Sequence, residues 1–394
     1  MNSIKPSALG PKHNLLCAST FIALMVIGGY QFYAAATHVD GIAYPAGIKN
    51  FRDGVTTQAI EKALDLKLPM RDQLIAFANT IRYQLLGAGG DQVRIGQQGW
   101  LFLTDELKFE GDDGRQGAKI AANNPEESLK ERIKFVGQVA SRLERQGVTL
   151  VVALVPDKAR VYQSQLKGQG YPQYNASKYQ TALAQLAKNK VPSVDLLDPL
   201  IQAKSSQEVF YKTDTHWNQM GAQIAAQQIA AKIVKLNIAL APTSFETKLP
   251  ADKTQRVGDL IRLMGLETIP NSLRPLPDFE AAATTTETKS EAASAASASP
   301  SLGLFGDSAV SVALVGTSYS LRGNFHGYLQ ASLGTKVLNT AKDGGGFLQA
   351  LTAYVQDDSF KTSKPKVIVW EIPERMLGAA LTDEKKWLNQ FLPE

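Results

Sequence analysis

The 394-residue chain is 44% hydrophobic, enough for one large domain or two ordinary ones. Its formal net charge is +5 and its pI near 9.0, but no basic block of nucleic-acid type occurs, so no nucleic-acid partner is expected. A single cysteine, Cys17, excludes an intramolecular disulfide, and the four histidines (His13, His38, His216, His326) show no zinc-like spacing; no metal or other cofactor is expected.

In chain order, residues 1–14 form a short tail carrying Lys5 and Lys12. Leu15 to Ala36 is largely apolar and as a helix would span roughly 33 Å, enough for a bilayer core. No acidic residue precedes Asp40, so the positive-inside rule puts the tail in the cytoplasm and the body on the exported side. Ala34-Ala35-Ala36 offers a cleavage site, yet the apolar core is longer than the ~7–15 residues usual for a cleaved signal. An uncleaved single-pass anchor is the expectation, and Leu15-Leu16-Cys17 is a poor lipidation signal.

Residues 37–120 read as an α/β lead-in. Thr56–Leu64 and Pro69–Leu86 look helical, and Gly87-Ala-Gly-Gly90 ends that unit. Val93-Arg-Ile95 and Trp100-Leu-Phe-Leu103 flank a glycine turn as two short strands. Residues 121–394 read as the main domain. Asn124-Pro125-Glu126-Glu127 is a helix start, and apolar residues from Leu129 to Leu143 recur at helical spacing until Gly147. Val148–Val155 is an apolar run suited to a strand buried on both faces. A helix over Ser177–Leu186, a strand over Val191–Leu197 and a helix over Gln219–Leu236 follow. Residues 281–300 are low-complexity, without a large apolar side chain, and read as a mobile surface insertion. Beyond it come a strand Val310–Val315, a helix Phe325–Leu333, a strand at Val337-Leu338, a helix Phe347–Val355 and a strand Val367–Trp370. The alternation predicts a doubly wound, mostly parallel α/β sheet with helices on both faces.

Tyr211-Lys-Thr-Asp-Thr-His-Trp-Asn218 carries the first candidate chemistry. In an extended segment Asp214 and His216 point to one side, about 6–7 Å apart, so the carboxylate can fix the imidazole tautomer and leave Nε2 as a base. The alternative is that Asp214 caps the next helix and His216 packs beside Trp217. Reactive groups of such sheets sit at strand carboxyl ends. Val310–Val315 runs into Gly316-Thr-Ser318-Tyr-Ser320, which makes Ser318 the candidate nucleophile, with backbone N–H groups beside it, at Tyr319, as oxyanion donors. Gly306-Asp-Ser308 spells a hydrolase signature but would enter its strand instead of leaving it. Gly344-Gly-Gly346 follows the next strand, and Gly345 and Gly346 are candidate oxyanion donors. Arg322 is a candidate for an acyl oxygen or an anionic sugar. His326 lacks a carboxylate neighbour and is a poor base. Glu371, Glu374 and Arg375 follow the last strand, where an ion pair fixing the loop is expected.

Together, Gly96-Gln-Gln-Gly-Trp-Leu-Phe102, Tyr211-Lys-Thr-Asp-Thr-His-Trp217, Val315-Gly-Thr-Ser-Tyr-Ser320, Gly344-Gly-Gly346 and Trp370-Glu-Ile-Pro-Glu-Arg375 give the chain its likeness. In this order it resembles the periplasmic alginate O-acetyltransferase family of the AlgJ/AlgX type, a branch of the SGNH hydrolase-like fold. The resemblance implies a triad of Asp214, His216 and Ser318, with the Asp-x-His element ahead of the serine, and a shorter, membrane-anchored subtype in the inner membrane with its catalytic domain in the periplasm. It implies acetyl transfer through an acetyl-serine onto a polysaccharide such as alginate. It also implies a multi-pass membrane acyltransferase as donor and other polysaccharide secretion proteins as partners. An esterase using the same triad, or an anchored scaffold without catalysis, are the alternatives.

Overall fold

The structure, a computed structural model, describes residues 71–108, 125–168, 170–288, 310–378 and 384–392, with scattered positions between 19 and 61. The chain divides into two units, residues 1–78 and 79–394. Described positions from 19 to 30 are helical; the rest of the expected 15–36 anchor, the helix expected at Thr56–Leu64 in its greater part, and the 120/121 boundary lie outside the described residues. Among the described residues no helix is long and apolar enough to cross a membrane.

Helix α1 (Arg71–Leu86) gives way at Gly87, whose φ of +58° no side chain adopts readily. Strands β1 (Val93–Ile95) and β2 (Leu101–Leu103) pair antiparallel around the glycine turn. Helix α2 (Pro125–Glu144) opens on the expected proline and two acids. Strand β3 (Thr149–Val155) is buried from Leu150 onward, as its unbroken apolar run requires. Helix α3 (Lys178–Lys188) leads to β4 (Ser193–Asp195), shorter than its apolar run because Asp195 Oδ1 accepts the Leu197 N–H at 2.9 Å and starts a helix there. After α4 (Gln219–Lys235) come four short strands: β5 (Phe245–Lys248), β6 (Thr254–Arg256), β7 (Asp278–Glu280) and β8 (Thr284–Glu287). Then follow β9 (Val312–Val315), α5 (Phe325–Leu333), β10 (Val337–Asn339), α6 (Gln349–Gln356), β11 (Val367–Pro373) and α7 (Glu384–Phe391).

The central sheet has the order β10-β9-β11-β3-β4, and every pair in it is parallel. All four residues of β9 are fully buried. At about 1.5–3 kcal/mol for each large aliphatic side chain, its three Val and Leu positions firmly anchor the turn that leaves the strand. Because the strands run one way, residues 156–157, 195–196, 316–318, 339–340 and 371–374 collect along one edge, where an α/β sheet binds its ligands.

The stretch 281–300 departs from its sequence reading at its start. Thr284–Glu287 is strand β8, paired with β5, and Ala283 belongs to the main core. Three consecutive β-branched threonines suit an edge ladder whatever their low complexity. Residues 289–300 lie outside the described residues. A second antiparallel pair joins β6 to β7, nested within the β5–β8 pair.

Candidate active site

The loop after β4 and its following helix holds Asp214 and His216. Phe210 and Trp217 form an antiparallel bridge, and Tyr211 N–H donates to the His216 carbonyl, so the intervening residues make a tight projecting turn. The cap of α4 is Asn218, whose Oδ1 accepts from Met220 and Gly221 N–H at 3.0 and 3.1 Å. Asp214 is therefore not the cap. Its Oδ1 accepts from the His216 N–H at 3.0 Å and from His216 Nδ1 at 2.6 Å. With the ring proton on Nδ1, Nε2 turns its lone pair to Ser318 Oγ, 2.7 Å away. Asp214, His216 and Ser318 are 1%, 4% and 8% exposed, so the relay is sheltered and only the serine end meets solvent to any extent.

Carboxylates hold this loop along its length. Asp278 accepts from the N–H groups of Lys212 and Thr213 at 2.7 and 2.9 Å and from Thr213 Oγ1 at 2.5 Å. Asp259 accepts from Thr215 N–H at 2.8 Å and Thr215 Oγ1 at 2.5 Å. Glu280 accepts from the Tyr211 hydroxyl and from Gln219. Lys158, fully buried, donates to the carbonyls of Leu101, Lys212 and Asp214 at 2.6, 2.9 and 2.9 Å. Burial pushes its ammonium down to about 8, against the pull of Glu106, Asp278 and Asp214. Gly258 lies so close to the loop that a Cβ there would stand 1.9 Å from the Thr213 carbonyl oxygen.

Arg256 completes the charge arrangement. Its Nη2 donates to Asp214 Oδ2 at 3.1 Å, its Nη1 to Glu280 Oε1 at 3.2 Å, and its guanidinium lies 4.5 Å over the Tyr211 ring. Burial alone would raise the Asp214 carboxyl. The hydrogen bond and positive charge of His216, followed by Arg256, outweigh it and hold the group well below the usual carboxylate range.

Ser318 opens the short 3-10 turn Ser318–Leu321 directly after β9. Glu371 of β11 braces that turn: its carboxylate accepts from Thr317 N–H at 2.6 Å, Thr317 Oγ1 at 3.0 Å and Ser320 Oγ at 3.1 Å. It leaves no room for a side chain at Gly316, where a Cβ would lie 2.6 Å from Glu371 Oε2. Burial raises the Glu371 carboxyl, and its three donors oppose that rise.

The other sequence-derived candidates have different placements. Tyr319 is fully buried; its N–H, expected as an oxyanion donor, is directed to Thr317 Oγ1 at 3.4 Å, while its hydroxyl donates to the Thr215 carbonyl at 2.9 Å and its ring stands edge-on to His216 at 4.9 Å, so its side chain ties the serine turn to the histidine loop. Gly345 N–H donates to the Lys342 carbonyl at 3.1 Å and is not a free oxyanion donor. Gly346 sits at φ +58° with open space at its Cβ position. The Ser318 N–H, at the start of the 3-10 turn, has no acceptor among the described residues, which leaves it available to an oxyanion. Arg322 pairs with Asp343 at 2.7 Å. His326 is bonded through Nε2 to the Val337 carbonyl at 2.7 Å, away from Ser318's partners. Glu374 pairs with Arg160, and Arg375 lies 3.7 Å from Glu106. Ser308 lies outside the described residues. Arg256, Asp259, Asp278 and Glu280 were not singled out from sequence; each meets the loop across more than forty residues, without a local pattern.

Asp214, His216 and Asp259 are the one cluster of metal-ligand type among the described residues. Their donor atoms are already engaged by His216, Arg256 and Thr215, and the guanidinium on Asp214 repels a second cation.

Residues 93–374 match the family described as SGNH hydrolase-like domain, acetyltransferase AlgX. The chain is 34% identical over 330 residues to the probable alginate O-acetylase AlgJ of Pseudomonas syringae pv. tomato, covering 83% of this chain and 80% of that one. It is similar to the solved O-acetyltransferase domain of Pseudomonas putida AlgJ, with a TM-score of 0.62, 32% identity, and coverage of 76% of this chain and 98% of that one. Pseudomonas aeruginosa AlgX shares the fold at a TM-score of 0.51 and 23% identity, covering 71% of this chain and 62% of that one.

Proposed function

We propose that this chain, which belongs to the AlgX-type SGNH hydrolase-like acetyltransferase family, O-acetylates an exported polysaccharide, alginate or a close relative, through an acetyl-serine at Ser318. The observation that carries this reading is the unbroken relay from Asp214 through His216 to Ser318, with links of 2.6 and 2.7 Å. The polymer class comes from relatives named as alginate O-acetylases.

His216 Nε2 takes the Ser318 proton as Oγ forms its bond to the acetyl carbonyl carbon. The carbonyl electron pair moves onto oxygen, held by the Ser318 N–H. On collapse the donor's oxygen leaves with the proton from His216. A sugar hydroxyl then gives its proton to Nε2 and attacks the acetyl-serine; collapse returns the proton to Ser318 Oγ. Asp214 keeps the imidazole in the one tautomer that serves both halves. The supply of acetyl groups from a multi-pass membrane acyltransferase, the single-pass anchor at 15–36 and the periplasmic setting complete the proposal.

The test incubates the purified full chain with an activated acetyl ester, with and without oligouronate acceptor. Acetylated sugar, and an acetyl group on the Ser318 peptide in acceptor-free samples, is the expected result. Free acetate released at the same rate whatever the acceptor would instead make the protein an esterase.

A further inference from the structure

The turn after β10 forms a wall beside the nucleophile. Thr340 N–H donates to the Leu314 carbonyl at 2.9 Å, Lys342 N–H to the Gly316 carbonyl at 3.1 Å, and Asn339 Nδ2 to the Ser320 carbonyl at 3.0 Å. On this wall stands one ion pair, Arg322 Nη2 to Asp343 Oδ2 at 2.7 Å, with the side chains 33% and 61% exposed. Arg322 closes the 3-10 turn that Ser318 opens, so its Cα lies within roughly 8 Å of the serine's. Its extended side chain, ending on Asp343, spans about the width of one sugar ring from a point beside the nucleophile. Asp343 sits next to Gly344 and Gly346, both at positive φ and both with nothing within 4 Å of a Cβ position. The two glycines leave open space beside the Asp343 side chain, while Lys342 and Gly345 hold the turn itself in place. Lys342, also exposed, adds a second cation to the rim.

We infer that Arg322 is the subsite for a carboxylate of the acceptor and that Asp343 is its resting counter-ion, displaced when an acidic sugar binds. The inference rests on the acceptor being a uronate polymer, as proposed above. An ion pair this exposed contributes little to folding, so exchanging one carboxylate for another on the same guanidinium costs little. The planar fork of arginine fits an incoming carboxylate as well as it fits Asp343. Asp343 then acts as a filter: a neutral sugar has nothing with which to displace it.

A purely structural ion pair weakens in the same direction when either partner is removed; a competing counter-ion gives opposite signs. Calorimetric titration of the full-length protein with a tetrauronate, and with its carboxyl-reduced neutral counterpart, separates the two. Arg322→Gln is expected to weaken tetrauronate binding about three- to fivefold, and Asp343→Asn to tighten it by about as much. The neutral tetramer is expected to bind all three proteins alike. Added salt should weaken tetrauronate binding less in R322Q than in the wild type. Equal weakening by both substitutions, equal responses of charged and neutral tetramers, or no tetrauronate binding by any of the proteins would each overturn the inference. Because binding is read without turnover, the expected signature on a protein that transfers no acetyl group would refute the acyl-transfer reading and leave the carboxylate subsite standing.

Discussion

The two halves of the relay are held by opposite means. Ser318 hangs from the end of a fully buried strand, and one buried carboxylate, Glu371 on the adjacent strand, fixes the turn around it. Asp214 and His216 sit on a loop with no strand of the main sheet beneath them. Acids from β7 and from the turn after β6, together with Lys158 and Arg256, satisfy that loop one backbone group at a time. The nucleophile is placed by the end of a core strand; the base, just as deeply buried, is placed by polar and charged partners around its loop. The first arrangement is rigid at the cost of a buried charge, and the second can be adjusted one side chain at a time.

Substitutions can test this contrast in order of expected effect. Ser318→Ala and His216→Ala remove the chemistry common to both halves, and each is expected to lower turnover by roughly 10⁴–10⁶. Initial rates with an activated ester check this; survival of activity in either variant would break the relay. Arg256→Gln should lower kcat by about 10² with little change in KM, because the Asp214 carboxylate loses its one guanidinium partner and keeps only His216 and the Asp259 N–H. Arg256→Lys should recover part of that loss. Glu371→Ala strikes the other half and should act on stability. It orphans three buried donors, and the urea midpoint should reveal a loss of roughly 3–5 kcal/mol.

Asp278→Asn tests the base loop alone. A stability loss of about 1–2 kcal/mol is expected, with faster amide exchange at Lys212 and Thr213 and none added at Thr317. Faster exchange at all three would mean that the halves are not separately held. Acid titration gives the smallest effect. The folded Asp214 carboxyl is depressed, so its stabilisation is complete above the unfolded value of about 3.9 and is lost as pH falls below it toward the folded value. Asp214→Asn should flatten the fall in stability below about pH 4 and leave the region from pH 5 to 8 unsloped by this group.

The same division explains what the sequence made legible. Strands buried on both faces are long apolar runs, so β3, β9 and β11 were readable, and with them the serine at a strand's end. The Asp-x-His spacing was readable as chemistry, though not as distinct from a helix cap until Asn218 was found in that role. The supports of the base loop were not readable. Strands β5 to β8 are short and polar, β8 lies in threonine-rich low-complexity sequence, and Arg256 meets Asp214 across 42 residues. Within the glycine run at 344–346 the Gly345 reading fails for another reason: three glycines permit an oxyanion cradle, but the Gly345 amide closes its own turn onto Lys342.

Tyr319 spans the divide, its hydroxyl on the Thr215 carbonyl and its ring against His216. Ser318 and His216 stand 102 residues apart in the chain, and the strut that unites them follows the nucleophile directly. Ser318 is thus an ordinary alcohol until the fold brings the histidine loop, made 102 residues earlier in the chain, against its tyrosine neighbour.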